Sequence, residues 1–409
     1  MSIDNPTRIR LRKNGPLRAE VHLPGSKSES NRALIMQALS RGAIKVEGLS
    51  EAEDTQTLER LLRERPAVMD VGHAGTAMRF LAAYLSFQPS DHELTGSARM
   101  CERPIGPLVD ALRAMGADIH YLGREGYPPL LIFGKNAKFR DSEVELPGNV
   151  SSQYISALCM VAWQQPDGLR IRLRGPVQSR PYIEMTLEML SRFGIQHEWV
   201  GDTISIRRQA VRGGVFAVEA DWSAASYWFC FAALDGEAEI RLHGLRQDSL
   251  QGDSVVADKM AALGVRTEWQ DGVLLLKGGG PVADSVEWDF VDCPDLAQGM
   301  VVAAAALGVK VRMTGLQSLR IKETDRIKAL QLELGKFGVS LVEEGEVWHL
   351  EGEFQPIENE ISTYQDHRMA MAFAPLAMVC PAVTILEPEV VGKSYPGFWN
   401  DLGELTVDM

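Results

Sequence analysis

Seven consecutive residues, Arg320-Ile321-Lys322-Glu323-Thr324-Asp325-Arg326, put cations beside carboxylates in one short stretch. Ile327, Leu330 and Leu334 follow at helical spacing, and Phe337-Gly338 reads as a stop, so the stretch is expected to open an apolar-striped helix. On that helix Lys322 and Arg326 are four apart and Glu323 is three from Arg326, which puts all three on one face. Two cations beside one carboxylate suit a small, multiply anionic substrate whose reaction also needs a proton delivered. A solvated, salt-bridged first turn would explain one such heptamer. Comparable clusters elsewhere in the chain weigh against it.

Leu23-Pro24-Gly25-Ser26-Lys27-Ser28 precedes a helix that includes Arg32, and Ser28 and Arg32 share a face. Helix N-termini favour anions, and Lys27 and Ser28 add a charge and a hydroxyl. The P-loop spacing is absent here and also at Gly392-Lys393-Ser394. Gly72-His73-Ala74-Gly75-Thr76-Ala77-Met78-Arg79 would let backbone approach a ligand at Gly75. Arg103 precedes Pro104, which is expected to start a helix. In Asn149-Val150-Ser151-Ser152-Gln153, N-capping explains one serine but not the pair followed by Gln153. Ser179-Arg180-Pro181-Tyr182 adds a hydroxyl-rich turn, and Asp366-His367-Arg368 brings another cation to a helix start. Asp295 suits a helix N-cap or a base about equally. His367 reads as structural.

Composition limits what these clusters can serve. The 409 residues allow two sizeable cores, and 45% hydrophobic with 24% charged residues is ordinary for a soluble globular protein. A net charge of −13 argues against nucleic-acid binding, so local Lys and Arg must hold any anion. The longest apolar runs are too short to span a membrane, and the N-terminus lacks a secretory h-region. Cys101, Cys159, Cys230, Cys293 and Cys380 are odd in number and form no CxxC pair, which suits reduced thiols in a cytoplasm. No metal-ligand spacing and no cofactor motif is visible.

The elements that must position the clusters recur. Gly75, Ser151, Asp221, Asp295 and Asp366 mark helix starts spaced by roughly seventy residues, and Gly116, Gly194, Gly264 and Gly338 mark helix stops at near-constant offsets. The expectation is an α/β (α+β) chain of six units, each strand-helix-strand-helix-strand-strand, three to a lobe. The first unit looks shortened and the sixth runs out at Met409. One lobe should cover 22–218, and 1–21 with 219–409 should form the other.

Taken in order, Leu23-Pro24-Gly25-Ser26-Lys27-Ser28, Gly75-Thr76-Ala77-Met78-Arg79, Glu102-Arg103-Pro104-Ile105-Gly106, Lys322-Glu323-Thr324-Asp325-Arg326, Asp366-His367-Arg368-Met369 and Lys393-Ser394-Tyr395-Pro396 resemble the 5-enolpyruvylshikimate-3-phosphate synthases, the 3-phosphoshikimate 1-carboxyvinyltransferases. The resemblance spans essentially the whole chain. It implies the two-lobed enolpyruvyl transferase fold, an active site in the interlobe cleft, and transfer of the enolpyruvyl group of phosphoenolpyruvate to the 5-hydroxyl of shikimate 3-phosphate. It implies a cytoplasmic monomer acting on small molecules, with no cofactor, metal, nucleic acid or membrane. For shikimate 3-phosphate it points to Lys27, Ser28, Arg32, Ser151, Ser152, Gln153, Ser179, Tyr182, Asp295, Ser318 and Lys322. For phosphoenolpyruvate it points to Lys27, Gly75, Arg103, Gln153, Arg326, Arg368 and Lys393. Asp295 would take the hydroxyl proton and Glu323 would protonate the methylene, with Lys27 completing the catalytic set.

His73, Phe80, Cys101 and Ser318 depart from the usual family residues, whereas Gly75 is kept, so glyphosate is expected to compete with phosphoenolpyruvate. The nearest alternative is the sister enolpyruvyltransferase acting on UDP-N-acetylglucosamine. That family carries a reactive Cys five residues before its Arg-Pro step, where this chain has Ala98. An inactive binding protein on the same fold should have lost charged site residues that are present here.

Overall fold

The computed structural model describes residues 7–408. The repeat is plainest in the stretch from Glu143 to Ile206. Strand Glu143–Pro147 runs parallel to Leu169–Arg174, with Glu143 opposite Arg170. A parallel pair needs a crossover, and helix Ser152–Ala162 supplies it. Helix Arg180–Arg192 then returns the chain to the antiparallel hairpin His197–Val200 and Thr203–Ile206. Leu169, Ile171 and Leu173 are buried, while Arg170, Arg172 and Arg174 between them are exposed, so one face of this sheet packs inward. Ser152–Ala162 is buried on almost every side because its sequence is apolar all round.

The same order of strands recurs from Val68 to Phe133 and from Ser285 to Gly352. The stop glycines behave as their spacing predicts. Gly116, Gly194, Gly264 and Gly338 have φ of 110°, 81°, 87° and 81°, the left-handed region a side chain resists. At Gly264 a Cβ would also lie 1.7 Å from the Gly280 carbonyl oxygen, so only glycine fits.

The remaining repeats are completed by distant chain. The shortened first repeat has only Ile44–Glu47, and it pairs in parallel with Gly214–Ala217. Arg18–His22 pairs in parallel with Glu239–His243. Arg8–Leu11 pairs with Val383–Leu386 and with Thr406–Asp408, filling the hairpin position of the sixth repeat.

Two compact units result. The inserted unit is Ser26–Val218, and the flanking unit is Met1–Gly25 with Glu219–Met409. The expected boundary at 21/22 lies slightly before this division. The reason is local pairing, since Gly25 bridges Ala220 and the Pro24 carbonyl accepts from the Asp221 N–H. Each unit holds three of the sheets among the described residues. No helix among those residues is long and apolar enough to cross a membrane.

Candidate active site

In the flanking unit the charged stretch takes a different form from the expected helix. Arg320 belongs to a 3-10 turn, Gln317–Ile321, and Lys322 is extended. The helix runs only from Arg326 to Gly335. Asp325 stops it from starting earlier, because its carboxylate accepts from the Lys328 N–H as the N-cap. Ile327, Leu330 and Leu334 are fully buried, as their spacing predicts. Lys322 and Glu323 therefore reach the site from a loop.

Asp295 is freed from the capping role. Asp221 caps its helix through the N–H groups of Ser223 and Ala224, and Asp366 caps through that of Arg368. Asp295 instead lies inside the short turn Pro294–Leu296. Its carboxylate accepts from Arg326 Nη1 at 3.1 Å and Arg368 Nη2 at 2.8 Å, with Lys322 Nζ at 3.7 Å. Glu323 joins the same cluster, with Oε2 2.9 Å from Arg326 Nη2 and Oε1 3.0 Å from Lys393 Nζ. Asp366 takes the other edge of the Arg326 guanidinium at 2.7 and 3.3 Å. Four cations (Lys322, Arg326, Arg368, Lys393) face three carboxylates (Asp295, Glu323, Asp366), which leaves a net positive cluster suited to anions. Burial lowers the pKa of Lys322, Asp295 opposes that shift, and Arg326 reinforces it.

Two neighbours of this cluster carried no sequence signal. Tyr227 accepts from Arg368 Nη1 at 3.2 Å. Asp253 is almost wholly buried, accepts from the Ser223 hydroxyl, and feels the charges of Asp295, Arg368 and Asp221. Burial first, and the Asp295 charge next, push its carboxyl up to about 7. The folded state therefore keeps a proton that the unfolded chain has lost, and stability falls as pH rises from the carboxylate range to about 7. Asp253→Asn removes that slope, so the melting temperature of the variant relative to the parent should rise between pH 5 and pH 8. An offset unchanged across that range would contradict the assignment.

In the inserted unit, helix Lys27–Leu39 begins at the Ser26 cap and presents Lys27, which pairs with the buried Asp54 at 3.3 Å. Asp54 was hidden in the sequence as an ordinary first-turn acid of the helix Glu53–Glu64. Arg32 is 2% exposed, and its guanidinium donates to Thr186, to Ser156 and to the carbonyls of Ser28 and Tyr182. Four of its five N–H groups are thus used within the protein. Burial lowers its pKa to about 10, and Tyr182 and Glu29 oppose the shift. Phe80, one of the departures, packs beneath that guanidinium at 5.5 Å.

Gly75 opens helix Gly75–Ser86, and Arg103 lies so close that a Cβ on Gly75 would be 2.6 Å from its Nη1. Arg103 makes no ion pair among the described residues. Its loop is pinned by Arg79 and Tyr154, which donate to the Pro104 carbonyl at 2.8 and 2.5 Å. The next helix starts at Gly106, with Pro107 in its first turn, and not at Pro104 as expected. Gln153 donates to Thr76 at 3.1 Å, which ties the serine turn to the glycine turn. Ser151 caps helix Ser152–Ala162, as one serine should, while the Ser152 and Ser28 hydroxyls make no hydrogen bond among the described residues. Ser179 sits at the N-cap position of the helix Arg180–Arg192 in a left-handed conformation, φ 53°, with no capping bond from its side chain, and its carbonyl accepts from the Tyr182 N–H. His73 bonds Ser97 at 3.1 Å, Cys101 lies 3.7 Å from the Gly96 carbonyl, and Ser318 is half-buried on the 3-10 turn.

The candidate residues of the sequence thus fall into two constellations, one in each unit. The family model for EPSP synthase (3-phosphoshikimate 1-carboxyvinyltransferase) matches residues 11–65 and 58–402. A 3-phosphoshikimate 1-carboxyvinyltransferase of Bacteroides fragilis is 50% identical over 390 residues, covering 94% of this chain and 95% of that protein. The enzyme of the same name from Vibrio campbellii is 35% identical, with 97% and 99% coverage. Among solved structures, EPSP synthase from Acinetobacter baumannii has the same fold, with a TM-score of 0.79 over 98% of each chain at 24% identity. Both the motif order and these relatives lead to one conclusion: the chain belongs to the EPSP synthase (3-phosphoshikimate 1-carboxyvinyltransferase) family.

Proposed function

We propose that this chain transfers the enolpyruvyl group of phosphoenolpyruvate to the 5-hydroxyl of shikimate 3-phosphate by addition and elimination, releasing phosphate. One observation carries the assignment of roles. Asp295 and Glu323 converge on the same guanidinium, Arg326, from two separate turns. Addition across the double bond needs a base at the attacking hydroxyl and an acid at the methylene carbon together. Asp295 takes the hydroxyl proton, with the cation of Lys322 beside it, and Glu323 supplies the proton to the methylene. Elimination reverses both transfers and expels phosphate.

Arg326, Arg368 and Lys393 neutralise phosphoenolpyruvate, and Lys27, Arg103 and Gln153 belong to the same role in the inserted unit. Each of the first three now pairs with Asp295 or Glu323. Substrate anions compete for those cations, which leaves the two carboxylates free to exchange protons. Ser151, Ser152 and Ser179 take the phosphate of shikimate 3-phosphate, Ser28 its ring, and Tyr182 packs alongside. Ser318 and Lys322 complete that set. Arg32 has one N–H left for a carboxylate and otherwise holds the surrounding helices. The reading extends to a cytoplasmic monomer, and five free cysteines support the compartment.

Phosphate release from phosphoenolpyruvate tests the assignment. It should require shikimate 3-phosphate and should fail with UDP-N-acetylglucosamine. Release only with the nucleotide sugar would overturn the substrate, and release with neither would overturn the activity.

Gly75→Ala separates binding from folding. The new methyl meets the far end of a flexible arginine, not backbone, so stability should change by less than about 0.5 kcal/mol. The displaced Arg103 guanidinium should raise KM for phosphoenolpyruvate by about tenfold, the scale of one charge-assisted hydrogen bond. KM for shikimate 3-phosphate should move far less. An equal rise in both would exclude Arg103 from phosphoenolpyruvate.

A further inference from the structure

Three buried helices of the inserted unit, Lys27–Leu39, Gly75–Ser86 and Ser152–Ala162, end around a cavity. It measures about 320 Å³ and is lined by Leu39, Phe87, Pro89 and Trp163, with Arg41 and Arg208 among its lining residues. That volume is at the small end of ligand sites. On the helix Lys27–Leu39 it lies about 18 Å along the axis from Lys27.

Helix C-termini ordinarily offer carbonyl acceptors and attract cations. Here one carbonyl at each of the three ends is already bonded. Leu39 O accepts from Gln164 Nε2 at 2.8 Å, Leu85 O from the Gln88 N–H at 3.0 Å, and Trp163 O from the Gln209 N–H at 3.3 Å. The two guanidiniums have no such partners: neither Arg41 nor Arg208 makes a side-chain ion pair or hydrogen bond among the described residues. Arg41 also holds a left-handed backbone, φ 54°, where a side chain carries a conformational cost. Phe87 stacks on Phe139 at 3.9 Å between ring centroids, which stiffens one aromatic wall.

We propose that this cavity is a binding site for a small carboxylate with a flat apolar body, its carboxylate held by Arg41 and Arg208 and its body against Phe87 and Trp163. The excess of donors selects an anion, and the guanidinium fork matches a carboxylate. The rings and Leu39 select a planar apolar body over inorganic phosphate.

Equilibrium dialysis of the full chain with 1-naphthoate tests this, with uncharged 1-naphthalenemethanol as control. Saturable binding of one naphthoate per chain is expected, at least tenfold tighter than the alcohol. It should persist with saturating shikimate 3-phosphate and phosphate present. Arg41→Glu/Arg208→Glu should weaken it at least tenfold, with kcat and the melting temperature unchanged because both side chains are exposed. Arg41→Gln/Arg208→Gln should give an intermediate loss. Binding that shikimate 3-phosphate displaces, that either double variant leaves unchanged, or that does not saturate would overturn the proposal.

Discussion

Glu323→Gln should lower kcat by roughly 10²–10⁴-fold, the range a positioned general acid contributes. The amide has the shape of the acid and can still accept from Arg326, so the loop should keep its course. It cannot give a proton to carbon. Its other end meets Lys393 Nζ, 3.0 Å from the present Oε1, so at most one hydrogen bond is lost there. Lys393 then meets phosphoenolpyruvate with less competition from residue 323, so affinity should change by less than about tenfold. The signature is therefore a large fall in kcat with a small change in KM, measured by single-turnover kinetics so that product release does not mask the chemical step. An unchanged kcat with raised KM would make Glu323 a ligand and move the acid elsewhere. Lys322 would then be the next group to replace, since burial lowers its pKa and it faces Asp295.

How far these sites were legible in the sequence follows from the range of the interactions that build them. Local signals carried the repeat. The apolar composition of Ser152–Ala162, the stop at Gly264 and the alternation in Leu169–Arg174 each act within one element. They needed no knowledge of the rest of the chain. The completion of the outer repeats was not legible, because Arg8–Leu11 pairs with residues more than 370 positions away and no local pattern encodes that register. The charged heptamer is legible as a cluster, but its shape is not. Asp325 is a good cap, and the pattern of Ile327, Leu330 and Leu334 alone does not say where the first turn begins. Asp295 could not be told from the capping aspartates by type, since Asp221 and Asp366 occupy the same place in their repeats. Only the direction of its carboxylate, toward Arg326 and Arg368, separates it from them. Asp54 and Asp253 were missed for the same reason. An acid in a helical first turn or a short loop is ordinary until its partner is known.

Asp366→Ala is the second large effect, and it falls on stability. The Asp366 carboxylate is fully buried and meets Arg326, whose side chain is 2% exposed, through two hydrogen bonds. Burial works against the Arg326 charge, but Asp366, Glu323 and Asp295 outweigh it and hold its pKa above the ordinary value. The guanidinium therefore stays charged in the variant and loses its closest partner. Breaking a buried pair from one side costs about 3–5 kcal/mol, and the lost cap of helix His367–Phe373 adds about 1 kcal/mol. Glu323 and Asp295 remain on Arg326, which pulls the sum toward the lower bound. A loss near 3–4 kcal/mol should lower the melting temperature by roughly 6–16 °C for a unit of this size. Asp366→Asn keeps the shape and an acceptor for the Arg368 N–H, so it should recover the cap but not the charge. If alanine and asparagine cost the same, the pair is worth its charge alone. If both cost under about 1 kcal/mol, Arg326 is held by Glu323 and Asp295, and Asp366 is a cap like Asp221.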